Sequence, residues 1–194
     1  MEPLPNDRSL TESASADLVR LIEAMEGGSE RALEDLYDAT VGKLYTVAAA
    51  ILRSVEDAEE VVCMTYAYAW ANAASFDSTR GNVLSWLLML CRSRALDRLR
   101  QRRSDLIAAD VTELDNMRSE ESQPEDILSL LQQHGHVRAA LLKLTPERRR
   151  LVSLAFLQGL SHQQIAQETG MALGTVKSHL RRALTQLRAQ LEAV

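Results

Sequence analysis

The most constraining stretch of the chain is SHQQIAQETGMALGTVKSHLRRALTQLR, residues 161–188. Ser161 followed three positions later by Gln164 is a capping box, in which side chains satisfy the backbone groups left open at a helix start. Ile165 and Ala166 are expected to face inward, the small Ala166 letting a second helix cross closely. Gly170 supplies a tight turn whose left-handed backbone a side chain would resist. Met171 and Val176 then close a small core, and Val176, Leu180, Leu184, Leu187 and Leu191 make an apolar stripe at helical spacing. The opposite face carries Thr175, Lys177, Ser178, Arg181, Arg182 and Thr185. Polar and cationic groups on one helix face suit base edges and phosphates in a major groove. The spacing therefore predicts a DNA-binding helix-turn-helix; a helical hairpin with a basic outer face is the plainer alternative.

The remainder of the chain has to be helical as well. Among 194 residues only 8 are Gly and 4 Pro, and aromatics are 4%. A sandwich or barrel needs frequent turns and many β-branched or aromatic positions. The expected class is all-α, two small helical domains joined by a flexible acidic linker. Residues 1–16 read as a disordered polar tail. Helices follow over 17–37, with a pause at Gly27-Gly28, and over about 41–53. Ser54 can cap the next helix, whose buried stripe is Ala58, Val62, Thr65, Ala69 and Ala73, with Asp57, Glu59 and Glu60 pointing elsewhere. Residues 76–82 form a loop before a helix from Val83 to about Arg103. Residues 104–134 lose periodicity and turn acidic. Within 135–194, Thr145-Pro146-Glu147 opens a further core helix carrying Leu151, Leu154, Ala155 and Phe156.

Charge is segregated along this plan. Residues 1–91 hold 6 basic and 15 acidic side chains, whereas residues 92–103 hold six Arg and one Asp. Residues 104–137 are again acidic, with one Arg and eight acids, and residues 138–194 are basic, with nine basic and three acidic side chains. Two basic blocks separated by an acidic one suggest two nucleic-acid contacts. Arg-rich helix ends also favour the helix dipole at its C-terminus, which suits residues 98–103 equally well. The net charge of −5 argues against strong unaided binding to DNA.

The helix WLLMLCRSRALDRLRQRR, residues 86–103, has two contrasting faces. Leu84, Leu87, Leu88, Cys91, Ala95 and Leu99 share one side. Trp86, Met89, Ser93, Asp97 and Arg100 share the other, flanked by Arg92 and Arg94. An exposed Trp beside arginines can stack on an unpaired base while the arginines hold phosphates. A core aromatic is the other reading of Trp86.

DAEEVVCMTYAYAW (57–70), FDSTRGNVLSWLLMLCRSRALDRLRQRR (76–103) and LTPERRRLVSLAFLQGLSHQQIAQETGMALGTVKSHLRRALTQLR (144–188) together resemble an extracytoplasmic-function (ECF) sigma factor of the sigma-70 family. The resemblance implies sigma region 2 over residues 17–103, a linker over 104–134 that threads toward the RNA path, and sigma region 4 over 135–194. It implies a dissociable, non-enzymatic initiation subunit of bacterial RNA polymerase that needs no cofactor or metal. The helix with Asp57, Glu59, Glu60 and Val61 would dock on the clamp helices of the β′ subunit. Region 4 would meet the β flap. Arg80, Asn82, Trp86, Met89, Arg92, Ser93, Arg94, Asp97 and Arg100 would read and help melt the −10 element. Thr175, Lys177, Ser178, Arg181, Arg182 and Thr185 would lie at the −35 element. Control by an anti-sigma factor is implied too. Four positions depart from the family pattern: Cys63-Met64 stand where many relatives have Gln-Glu or Gln-Asp, Ser93 replaces an Asn, and Ala172 occupies a place often held by a Ser cap.

Two other classes compete. A LuxR-like regulator that binds DNA without joining polymerase explains residues 161–188 but leaves the helix from Trp86 unaccounted for. A metal enzyme or redox sensor could use Cys63, Cys91, His134 and His136, but no CxxC or HExxH spacing supports it. Two lone cysteines suit a reducing cytoplasm, and no apolar run approaches a membrane span.

Overall fold

Capping side chains start helices in both halves. The computed structural model describes residues 7–108 and 135–192. Two compact units divide the chain at Arg98/Leu99. In the first, α1 spans Asp7–Glu26, α2 Glu30–Leu52, α3 Val55–Ala71 and α4 Val83–Ala108, the last continuing across the division; a single 3-10 turn, Ala73–Ser75, follows α3. In the second, α5 spans Gly135–Leu142, α6 Pro146–Phe156, α7 His162–Thr169 and α8 Leu173–Glu192. No strand occurs among the described residues.

In the first unit, Gly28 takes the left-handed backbone (φ 84°) that separates α1 from α2, and Ser29 caps α2 by accepting from the Ala32 amide. Ser54 caps α3 in the same way from the Asp57 amide. Fully buried Leu36, Leu44, Leu87 and Cys91 join α2 and α4 in the core, each Leu contributing about 2 kcal/mol. All five expected stripe residues of α3 and the turn after it, Ala58, Val62, Thr65, Ala69 and Ala73, are buried.

Two expectations change here. Residues 7–16 belong to α1, so the chain is already helical where a tail was expected; residues 1–6 lie outside the described set. Nor does the chain break between Tyr37 and Val41. Buried Thr40 donates to the Leu36 carbonyl at 2.6 Å and meets the Tyr66 hydroxyl at 2.7 Å, so its polar group is satisfied inside a continuous α2.

In the second unit, Thr145 caps α6 with Pro146 in its first turn. Arg149 then closes the end of α5, donating to the carbonyls of Leu141, Leu142 and Leu144, each at 3.2 Å. Leu151, Leu154, Leu157, Ile165, Val176, Leu180 and Ala183 form the core. Gln186 of α8 ties this unit together, donating to the Lys143 carbonyl at 3.0 Å and accepting from Arg148 at 3.3 Å. Phe156, Leu184 and Leu191 are exposed rather than in the core. On α8 the buried line runs through Val176, Leu180 and Ala183, and at 100° per residue Leu184 and Leu191 fall at its margin. The acidic linker lies outside the described residues.

Candidate nucleic-acid interface

The capping box of α7 forms as the sequence requires. The Ser161 hydroxyl accepts from the Gln164 amide, and the Gln164 side-chain carbonyl accepts from the Ser161 amide at 2.8 Å. Gly170 takes φ 68° and reverses the chain into α8. Without a capping side chain at Ala172, the Ala172 carbonyl itself receives the Thr175 and Val176 amides. Ala166 and Met171 are half-buried beside fully buried Ile165 and Val176.

Thr175, Lys177, Arg181, Arg182 and Thr185 are exposed on α8, and Ser178 is half-buried. None of the three cations has an ion-pair partner among the described residues. Two hydroxyls lean on the helix itself, Ser178 on the Thr175 carbonyl and Thr185 on the Arg181 carbonyl, both at 2.9 Å. On another side of α8, His179 Nδ1 lies 3.4 Å from Glu147 Oε2 at the start of α6. A broad cationic face is thereby presented by a helix anchored at several points.

A second site gathers at the start of α4. Arg80, Asn82, Trp86 and Met89 line one cavity of about 320 Å³ together with Phe76 and Asp77. The half-buried Trp86 packs its ring 5.4 Å from that of Phe76, tilted by 52°, so it is neither a core aromatic nor fully free. Asp77 braces the loop by accepting from the Thr79 hydroxyl and amide, and these bonds hold its carboxyl below the usual range. Asn82 caps α4, its side-chain oxygen accepting from the Ser85 amide at 2.8 Å. An Asn set just ahead of an apolar helix is a capping signal, whereas the family resemblance implies only a DNA-facing role for Asn82.

Arg92 is half-buried; Ser93, Asp97 and Arg100 are exposed further along α4. Arg94, at the flank of that face, is half-buried and lies 4.4 Å over the ring of Tyr68 on α3.

The four residues expected to face a protein partner divide. Val61 is buried in the bundle, and Asp57 is buried against Arg98, which also reaches Glu60 at 3.2 Å. Asp57 and Val61 are therefore corrected to packing positions. Glu59 and Glu60 remain at the surface.

A groove between α2 and α3, about 1070 Å³, was not anticipated. Glu59, Cys63 and Tyr66 of α3 and Tyr37, Val41 and Tyr45 of α2 line it. The signal was present in Tyr37 and Tyr45, two tyrosines eight positions apart on one helix. Cys91 by contrast is buried, its thiol 3.5 Å from the Leu44 carbonyl, and burial pushes it up to about 11. Among the described residues no cluster of three His, Cys, Asp or Glu side chains could hold a metal; His134 lies outside them. No described helix is long and apolar enough to cross a membrane.

The sigma-70 region 2 family model matches residues 36–104, and the sigma-70 region 4 model matches residues 135–187. The ECF RNA polymerase sigma factor SigK of Mycobacterium tuberculosis (strain ATCC 25618 / H37Rv) is 31% identical over 180 residues, covering 90% of this chain and 93% of the relative. The protein of the same name from Mycobacterium ulcerans (strain Agy99) is 31% identical over 185 residues, covering 92% and 96%. A solved structure of CnrH in complex with the cytosolic domain of CnrY is similar at 23% identity and a TM-score of 0.44, over 91% of this chain and 98% of that one. With both sigma regions matched and relatives aligned over nearly the whole length, the chain belongs to the ECF RNA polymerase sigma factors of the sigma-70 family.

Proposed function

We propose that this chain mounts on bacterial core RNA polymerase and directs initiation at promoters read in two places. In this reading region 2 spans residues 17–103, region 4 spans 135–194, and residues 104–134 link them. The cavity beside Trp86 carries the reading furthest. It combines an aromatic wall, the cation of Arg80 and polar groups in one concavity of the size that takes small flat ligands. One unstacked base of the non-template strand fits that chemistry: stacking on Trp86 replaces stacking in the duplex. Met89, Arg92, Ser93, Asp97 and Arg100 extend the −10 surface along α4, Arg94 flanks it, and Asn82 holds the helix start.

Lys177, Ser178, Arg181, Arg182, Thr175 and Thr185 read the −35 duplex, phosphates drawing the cations and the groove receiving α8. Glu59 and Glu60, with the α2–α3 groove, face the β′ clamp helices, and region 4 meets the β flap. Binding energy rather than covalent chemistry does the work. A cytoplasmic location and an anti-sigma factor that covers the polymerase-facing surfaces complete the reading, supported by family membership. A LuxR-like regulator is not favoured, since the match over residues 36–104 would then serve nothing.

Run-off transcription with purified core polymerase on fragments of the source genome tests this. The expected result is specific initiation that depends on this chain and drops about tenfold or more in Trp86→Ala. Absence of chain-dependent initiation on every fragment would sink the proposal.

A further inference from the structure

The two flanks of α3 face different neighbours. Glu59, Cys63 and Ala67 line the groove toward α2, whereas Asp57 and Tyr68 meet Arg98 and Arg94 of α4. Tyr68 thus lies on the side of α3 that adjoins the −10 surface and away from the groove assigned to polymerase.

Tyr68 is 39% exposed, a large aromatic with an open surface. The guanidinium of Arg94 sits 4.4 Å above its ring, and Arg94 Nη1 also donates to the Leu90 carbonyl at 3.4 Å. Ring and carbonyl hold the guanidinium in place while its other N–H donors stay available for an anion. Trp86, Leu90 and Arg94 follow one another at i, i+4 and i+8, so the Arg94–Tyr68 pair lies about 12 Å along α4 from the cavity. That is a span of three or four stacked nucleotides at ~3.4 Å each, and fewer if the strand is extended.

We infer that Tyr68 and Arg94 form a second station for the displaced single strand, where Arg94 holds a phosphate and the Tyr68 ring stacks on a base a few nucleotides from the one in the Trp86 cavity. The inference rests on the −10 reading of that cavity and adds to it a residue of α3. An anionic chain that also carries flat rings is the occupant that engages both a guanidinium and the aromatic beside it.

The test uses holoenzyme assembled from this chain and core polymerase. The probes are two single strands from the promoter found by run-off transcription: the non-template −10 segment, and the same strand trimmed at either end to the few nucleotides around the cavity base. Tyr68→Ala and Arg94→Gln are expected to weaken binding of the long strand about tenfold, the scale of removing one base–aromatic stack. They should leave the trimmed strand and core-polymerase affinity unchanged, and Tyr68→Phe should bind like the parent. Equal binding of the long strand by Tyr68→Ala and the parent overturns the inference. So does an equal loss on both strands, or a loss of core affinity, which would make the pair a packing or protein-docking element. Trp86→Ala should weaken both strands; if it weakens neither, the cavity reading falls and the two-station geometry with it, a result separable from the Tyr68 outcome.

Discussion

Arg98 and Asp57, 41 positions apart, meet at a single carboxylate oxygen, with Nη2 at 2.8 Å and Nε at 2.9 Å. The contact fastens α4 to the start of α3, and Glu60 adds a second carboxylate at 3.2 Å. Because the Asp57 side chain is only 12% exposed while that of Arg98 is 37% exposed, the carboxylate suffers most when the pair is broken. Arg98→Met is expected to destabilise the first unit by about 2–3 kcal/mol, measured by urea denaturation. Adding Asp57→Asn should cost less than a second independent change, since the first has already removed its partner. Additive costs would show that the pair does not act as one.

The α7 start and the turn after it give a local test. Ser161→Ala removes one arm of the capping box and should cost about 1 kcal/mol. Gly170→Ala places a Cβ on a backbone at φ 68° and should cost about 1 kcal/mol as well, although nothing lies within 4 Å of that Cβ. The penalty is therefore conformational. Thermal unfolding that left the Gly170→Ala midpoint unchanged would contradict it.

The cationic face of α8 makes a prediction in salt. With Arg181 and Arg182 both changed to Gln, the holoenzyme should lose affinity for the duplex −35 element. The slope of log affinity against log salt should flatten by about 2, roughly 0.9 for each phosphate no longer neutralised. Stability should move by less than about 0.5 kcal/mol, since both side chains are exposed. Anisotropy titrations at several salt concentrations measure the slope.

Alkaline pH should act on the first unit. Burial raises the Cys91 thiol from 9.0 to about 11 and the Tyr66 phenol from 10.0 to about 12, the latter against a hydrogen bond to Thr40 that pulls it down. The folded state holds these protons more tightly than the unfolded chain does. Their contribution is thus intact below about pH 9 and is lost as the pH climbs through about 11 and 12. Unfolding midpoints should be flat across neutral pH and fall above pH 9, with Cys91→Ala flattening the first part of the fall. At pH 8 a thiol reagent should modify only exposed Cys63 in the native protein and both cysteines after denaturation.

What could be read in advance follows the range of the interactions. Ser54, Thr145, Ser161, Gly170 and the α3 stripe depend on neighbours within a few positions, and each stands where the sequence puts it. The same holds for the exposed face of α8. Burial of Asp57 depends on Arg98, and the placement of Arg94 over an aromatic ring depends on Tyr68; both partners lie far along the chain. The continuity of α2 rests in part on a hydroxyl contact between Thr40 and Tyr66, 26 positions apart. Leu184 and Leu191 misled because apolar spacing alone leaves the edge of a stripe undefined. The cavity beside Trp86 could be anticipated as a loop and a helix, but its concavity comes from Phe76 folding back on the indole.

Gln186 binds the Lys143 turn and Arg148 from a point beyond Arg182 on the same helix. With Val176, Leu180 and Ala183 seated beneath it as well, the rod cannot swivel, so Lys177, Arg181 and Arg182 meet a duplex at intervals fixed before the encounter.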